Sequence, residues 1–158
     1  MSTQKEIAVN ITTDIGLANL YGGGLGYMIN ETRNAIFAAI EKELVPLNIT
    51  SSQFIVVVGI AHKRAKTLTE FSKLLGYDTG AMTRLLDRIE QKDIIKRVRS
   101  TTDRRTINIE LTPKGEELYP QIMAIVTRVH EKLLDGFSGD DAAQFHLLLK
   151  RALVNATK

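Results

Sequence analysis

The chain of 158 residues has no cysteine and no tryptophan, and only five phenylalanines and four tyrosines. Without cysteine it can form no disulfide and carry no thiol switch. With so few aromatics it offers no stacking platform for single strands or RNA. No apolar run is long enough to span a bilayer, and residues 1–10 lack the pattern of a secretory signal. A cytoplasmic protein without a membrane partner is therefore expected. The three histidines, His62, His130 and His146, lie far apart without paired ligand spacing, so no metal is expected short of a site shared across a dimer. No Ser-His-Asp set, carboxylate arrangement or phosphate-binding glycine loop stands out, so neither an enzyme nor a cofactor is expected. Gly22, Gly23, Gly24 and Gly26 cluster without a preceding strand, which suits a close helix approach or an irregular helix start better than a dinucleotide loop.

Residues 67–112 are the most informative stretch. Thr67-Leu68-Thr69-Glu70 is a helix-start signature, in which the threonine hydroxyl and the glutamate satisfy each other's backbone N–H groups. A short helix with Phe71, Leu74 and Leu75 on its apolar side ends at Gly76, and a second runs from about Thr79 to Gln91. Residues 94–99 and 106–111 then alternate like two strands, joined by Ser100-Thr101-Thr102-Asp103-Arg104-Arg105. Helix, turn, helix and basic hairpin make a winged helix-turn-helix, whose second helix is built to lie in the major groove of double-stranded DNA. Charge agrees with this. Residues 63–105 hold twelve Lys or Arg against six Asp or Glu, a segment of +6 in a chain of +3, which leaves −3 elsewhere. A basic patch on an acidic body is the footprint of a phosphate-binding surface.

The flanks read as helices. Residues 25–45 show Met28, Ile29, Ile36, Phe37 and Ile40 at helical spacing and stop at Pro46; Thr50 with Gln53 opens another helix to about His62, with Ile49 stapled against Phe54. Pro113 begins a long helix to about Asp135, with Leu118, Ile122, Ile125, Val126, Val129 and Leu133 along one side. After Gly136, Ser138 caps a last helix carrying Phe145, Leu148, Leu149, Ala152 and Leu153. The long stripe on the Pro113 helix is expected to need a second subunit to bury it. The fold class is thus mainly α with a small β-hairpin wing. Residues 1–45 and 113–158 supply a helical dimerisation region, and residues 46–112 the DNA-binding lobe.

The motif from Asp103 to Thr112, DRRTINIELT, fits the D-x-R-x(5)-L-T wing signature of the MarR family of bacterial regulators. Asp78 to Arg88, DTGAMTRLLDR, resembles that family's recognition helix, and Leu44 to Thr50 with Gln53 and Phe54 is similar to the loop and helix before it. The resemblance covers roughly residues 25–155. Asp93 stands where the family often has Gly, and Asp tolerates the left-handed conformation better than most residues. The resemblance implies a homodimer paired through the terminal helices. It also implies a regulator released from DNA by a small, often aromatic, anion; the peroxide-sensing cysteine of some members is absent.

A dimer places two recognition helices about one turn of DNA apart, so the operator should be an inverted repeat. Thr79, Gly80, Ala81, Thr83, Arg84 and Arg88 are candidates for the exposed side of the recognition helix, with Met82, Leu85, Leu86 and Ile89 buried. Thr83 and Arg84 can reach base edges, Arg pairing best with guanine; Arg88 can reach bases or phosphate. At the wing, Arg104 or Arg105 should enter the minor groove. The Asp-x-Arg spacing favours an Asp103–Arg105 ion pair that stabilises the wing and leaves Arg104 for the groove. Thr67, Thr69, Lys73 and Ser100 are candidate phosphate contacts. By the resemblance, an aromatic carboxylate effector would meet Tyr27, Met28, Glu31, His62 and Arg64, with Phe54 behind. The leading reading is a ligand-responsive repressor; an architectural DNA-binding protein without an effector is the alternative.

Overall fold

The computed structural model describes residues 24–101, 103 and 105–158. Gly22, Gly23 and the wing-tip Arg104 lie outside the described residues. The chain divides into two compact units between Ile55 and Val56.

In the first unit α1 spans Leu25–Leu44, with Gly24 as its extended N-cap. Gly24 thus fits a helix start, and a Cβ on Gly26 would meet open space, so Gly26 marks no close approach. Only Ile40 and Leu44 of α1 are buried, while Leu25, Tyr27, Met28 and Ile29 of its first turns are exposed. Pro46 converts the helix end into a short 3-10 turn, Val45–Leu47, closed by Asn48 in the left-handed region (φ 53°). The expected capping box then forms: Gln53 N donates to Thr50 Oγ1 at 3.3 Å and Thr50 N to Gln53 Oε1 at 3.2 Å. This starts α2 (Ser51–Ala61), which crosses the division between the units. Phe54 is buried, its ring 6.1 Å from that of Phe37.

The second unit holds the rest. Helix α3 (Leu68–Leu75) opens with the Thr67–Glu70 capping box and ends at Gly76 in the left-handed region. It packs closely on α2, because a Cβ on Gly59 would come within 2.9 Å of the Phe71 ring. Helix α4 (Thr79–Gln91) follows, capped by Asp78, whose Oδ1 accepts from Ala81 N at 2.8 Å. Strands β1 (Ile95–Arg99) and β2 (Ile107–Leu111) pair antiparallel with Arg97 opposite Ile109. The backbone of Lys66 flanks β2, its carbonyl accepting from Ile109 N at 2.7 Å.

Helix α5 (Pro113–Leu133) starts hard against the end of α4. Asp93 takes the left-handed conformation (φ 57°), its carbonyl accepting from Thr112 Oγ1 at 2.6 Å. A Cβ on Gly115 would stand 2.1 Å from the Ile94 carbonyl oxygen, so only glycine fits that crossing. Leu118, Ile122, Ile125 and Val129 of α5 are already buried in the single chain. This corrects, for these four, the expectation that the stripe waits for a second subunit, while Val126 is half-buried and Leu133 exposed; helical periodicity marks an apolar face but not what covers it. Gly136 (φ 81°) ends the turn after α5, and the Ser138–Asp141 capping box starts α6 (Gly139–Ala156), which has no buried residue.

Candidate nucleic-acid interface

Helix α4 has two chemically opposite sides. Met82, Leu85, Leu86 and Ile89 are buried, and that contact fixes which residues point outward. Thr79, Gly80, Arg84 and Arg88 are exposed, while Ala81 and Thr83 are half-buried. The Thr83 hydroxyl donates back to the Thr79 carbonyl at 2.7 Å, so toward a base edge it offers its oxygen and methyl group. A Cβ on Gly80 would lie 3.4 Å from Arg84 Nη1. The Arg84 guanidinium therefore lies back along the first turn of α4, in space that a side chain at position 80 would narrow. Neither Arg84 nor Arg88 has a carboxylate partner among the described residues.

One arginine of the basic segment does something else. Arg97 on β1 donates from Nη2 to Asp87 at 2.6 Å and from Nη1 to Glu90, both carboxylates belonging to α4. Its backbone N also donates to Glu90 at 3.2 Å. Partial burial works against its charge, but the hydrogen bond to Asp87 and the charges of Glu90 and Asp87 hold its pKa above the ordinary arginine value. Arg97 thus clamps the wing to the exposed edge of α4 and leaves little free charge for DNA. Sequence reasoning missed this, since Asp87 and Glu90 three apart on a helix look like any solvated face. Lys96 is also paired, 3.8 Å from Glu110 across the hairpin.

The wing turn is built by Asp103. Its carboxylate accepts from Arg105 N at 3.0 Å and from the Thr106 hydroxyl at 2.9 Å, and these two bonds, the backbone one foremost, lower its pKa. The expected Asp103–Arg105 ion pair does not form. The backbone N–H of Arg105 takes the carboxylate instead, as in an Asx turn, and its guanidinium makes no ion pair among the described residues. Ser100 Oγ accepts from Asp103 N at 3.3 Å and so helps shape the same turn. On α3, Thr69 and Lys73 are exposed one turn apart, and Thr67 is half-buried as the cap.

The expected effector residues fall in both units. Tyr27, Met28 and Glu31 are exposed on α1, and Phe54 is buried against Phe37, all in the first unit. His62 and Arg64 are in the second unit, with Arg64 exposed. His62 Nε2 lies 2.8 Å from the Tyr119 hydroxyl, their rings edge to face; that partner on α5 was not anticipated.

A helix-turn-helix completed by an antiparallel hairpin clamped to its second helix defines a winged helix-turn-helix protein. The family described as transcriptional regulator SarA/Rot matches residues 35–122. The Multiple antibiotic resistance protein MarR of Salmonella typhimurium is 33% identical over 132 residues, 83% of this chain and 90% of that protein. A mutant MarR from Escherichia coli, solved in complex with operator DNA, is similar with a TM-score of 0.71 and 32% identity over 82% of this chain and 93% of that one. A MarR regulator from Methanosarcina mazei, 23% identical, shares the fold with a TM-score of 0.77 over 84% of this chain and 96% of that one. The chain belongs to the MarR family of winged-helix transcription regulators.

Proposed function

We propose that this protein is a repressor that binds an inverted-repeat operator as a homodimer and releases it when a small aromatic carboxylate binds. The observation that carries the DNA reading is the exposed side of α4, where Thr79, Gly80, Arg84 and Arg88 stand opposite a wholly buried side. Arg84 and Arg88 are the unpaired cations of that helix. In this reading Thr79, Gly80, Ala81 and Thr83 meet the major groove with Arg84 and Arg88. Thr67, Thr69, Lys73 and Ser100 hold phosphates, and Arg104 or Arg105 reaches the minor groove. That the E. coli relative was solved in complex with operator DNA supports DNA binding by this fold.

The dimer is supported by α6. Phe145, Leu147, Leu148, Leu149, Leu153 and Val154 are between 41% and 64% exposed, an apolar surface that a lone chain in water would not keep. The effector response is supported by unpaired cationic side chains in the DNA-binding unit, Arg64 among them. The test is footprinting on the intergenic DNA flanking the gene, with and without an aromatic acid such as benzoate. The expected result is a protected inverted repeat that opens on addition of the acid. Protection without sequence preference would instead identify an architectural DNA-binding protein.

A further inference from the structure

We propose that Pro120 and Gln121 form a bending point in α5 that sets the distance between the two recognition helices of the dimer, and with it the half-site spacing of the operator. This rests on the homodimeric regulator reading above. The part of α5 before Pro120 is fixed to the end of α4. Gly115 lies against the Ile94 carbonyl, and Thr112 N donates to the same carbonyl at 3.0 Å. Lys114 Nζ donates to the Lys92 carbonyl at 2.7 Å, and the Tyr119 hydroxyl meets His62 just past α2. These ties all precede Pro120, so residues 113–119 move with α4 as one piece.

Pro120 stands in the interior of α5 and is exposed. It has no N–H for the Glu116 carbonyl four residues back, and its ring crowds that carbonyl. No residue is costlier inside a helix, and at an exposed position no core packing offsets the cost. A local rule broken in this way is expected where function needs it. The side chain of Gln121 reaches into the same turn: its Nε2 donates to the Glu117 carbonyl at 3.1 Å, a donor one step along from the bond that proline removes. Helices kink at prolines and where a side chain enters the hydrogen-bond ladder, and here the two coincide. Beyond the bend α5 leads to α6, whose apolar side is exposed. The bend therefore lies between the DNA-reading part and the part that a second copy is proposed to cover. Helix α4 has 13 residues, about 20 Å, so a change of about 10° at Pro120 swings its Thr79 end by on the order of 3.5 Å, one base-pair step of duplex DNA.

The chain has no cysteine, so Lys73→Cys on the exposed side of α3 gives one spin label per chain. Double electron–electron resonance on the full-length protein without DNA then reads the distance between the two lobes. Pro120→Ala should shift that distance by about 3 Å or more and raise the thermal midpoint. In the unlabelled protein, affinities are compared for the protected inverted repeat and for a repeat with one base pair added or removed between half-sites. Pro120→Ala should change their ratio at least about tenfold, while binding to a single half-site stays within about twofold. An unchanged label distance or an unchanged ratio would overturn the bending point. Where Pro120→Ala fails to fold, Gln121→Leu decides: it keeps the proline and removes the side-chain donor, so the label distances should spread. An unaltered distribution there would overturn the bending point as well. A parent protein with no label-to-label distance is a monomer, and the dimer reading fails with it. An identical distance in Pro120→Ala leaves the dimer standing and removes the bend alone.

Discussion

Helices α4 and α6 are both amphipathic, yet α4 has four buried side chains and α6 has none. The apolar side of α4 is complete within one chain, which leaves its polar side free to be shaped for a ligand. The apolar side of α6 is incomplete, so in water its leucines require another surface. The same helical pattern is thus completed within the chain in one case and left exposed in the other, where the proposed homodimer would cover it. This contrast makes the two helices respond differently to the same kind of damage.

The largest effect is expected on α6. Leu148→Asp with Leu153→Asp would place four charges in a symmetric interface, raising the dimer dissociation constant by more than about a thousandfold. Sedimentation across a concentration series reads this directly, and each chain should keep its helical content. On α4, Leu86→Ala removes a fully buried side chain. It should cost about 2–5 kcal/mol in chemical unfolding of the lobe, even in the monomeric background. If Leu148→Ala destabilised the isolated chain as much as Leu86→Ala, the contrast between the helices would collapse.

Arg84→Ala sharpens the polar side of the same comparison. It should cost about 1–3 kcal/mol per half-site and relax preference at one base position, measured by anisotropy on single-base operator variants. Lys73→Ala should weaken all sequences about equally and reduce the salt slope by about 1 for each phosphate that the lysine neutralises.

The smallest expected effect is at the wing tip, where Asp103 has a lowered pKa in the folded chain. The unfolded state then binds more protons than the native state as the carboxylate titrates, so its contribution is present above the unfolded value and lost as pH falls through the folded one. The protection factors of the Arg105 and Thr106 amides, that is, exchange corrected for its intrinsic pH dependence, should fall on acidification below about pH 4 and stay level between about pH 5 and 7. Asp103→Asn should remove that pH dependence.

Much of the fold could be read from local signals. The Thr67–Glu70 and Thr50–Gln53 boxes, the break at Gly76 and the left-handed Asp93 each depend on neighbouring residues, and each formed where expected. What escaped depends on partners distant in sequence. Arg97 counts as one more basic residue until β1 is laid beside α4 and brings it to Asp87 and Glu90. The stripe on α5 was legible, but the burial of Leu118, Ile122, Ile125 and Val129 within the chain was not. At the wing, the Asp103–Arg105 spacing was legible, while the choice of backbone N–H over guanidinium was set by the geometry of the turn.

The most direct test of the division between a self-completing α4 and a partner-seeking α6 is sedimentation velocity of the protein alone and with an inverted-repeat duplex. The expected result is a free species of twice the 17.6 kDa chain mass and a complex of two chains per duplex, both lost in Leu148→Asp/Leu153→Asp. A free monomer at micromolar concentration that binds one chain per duplex with full affinity would contradict it.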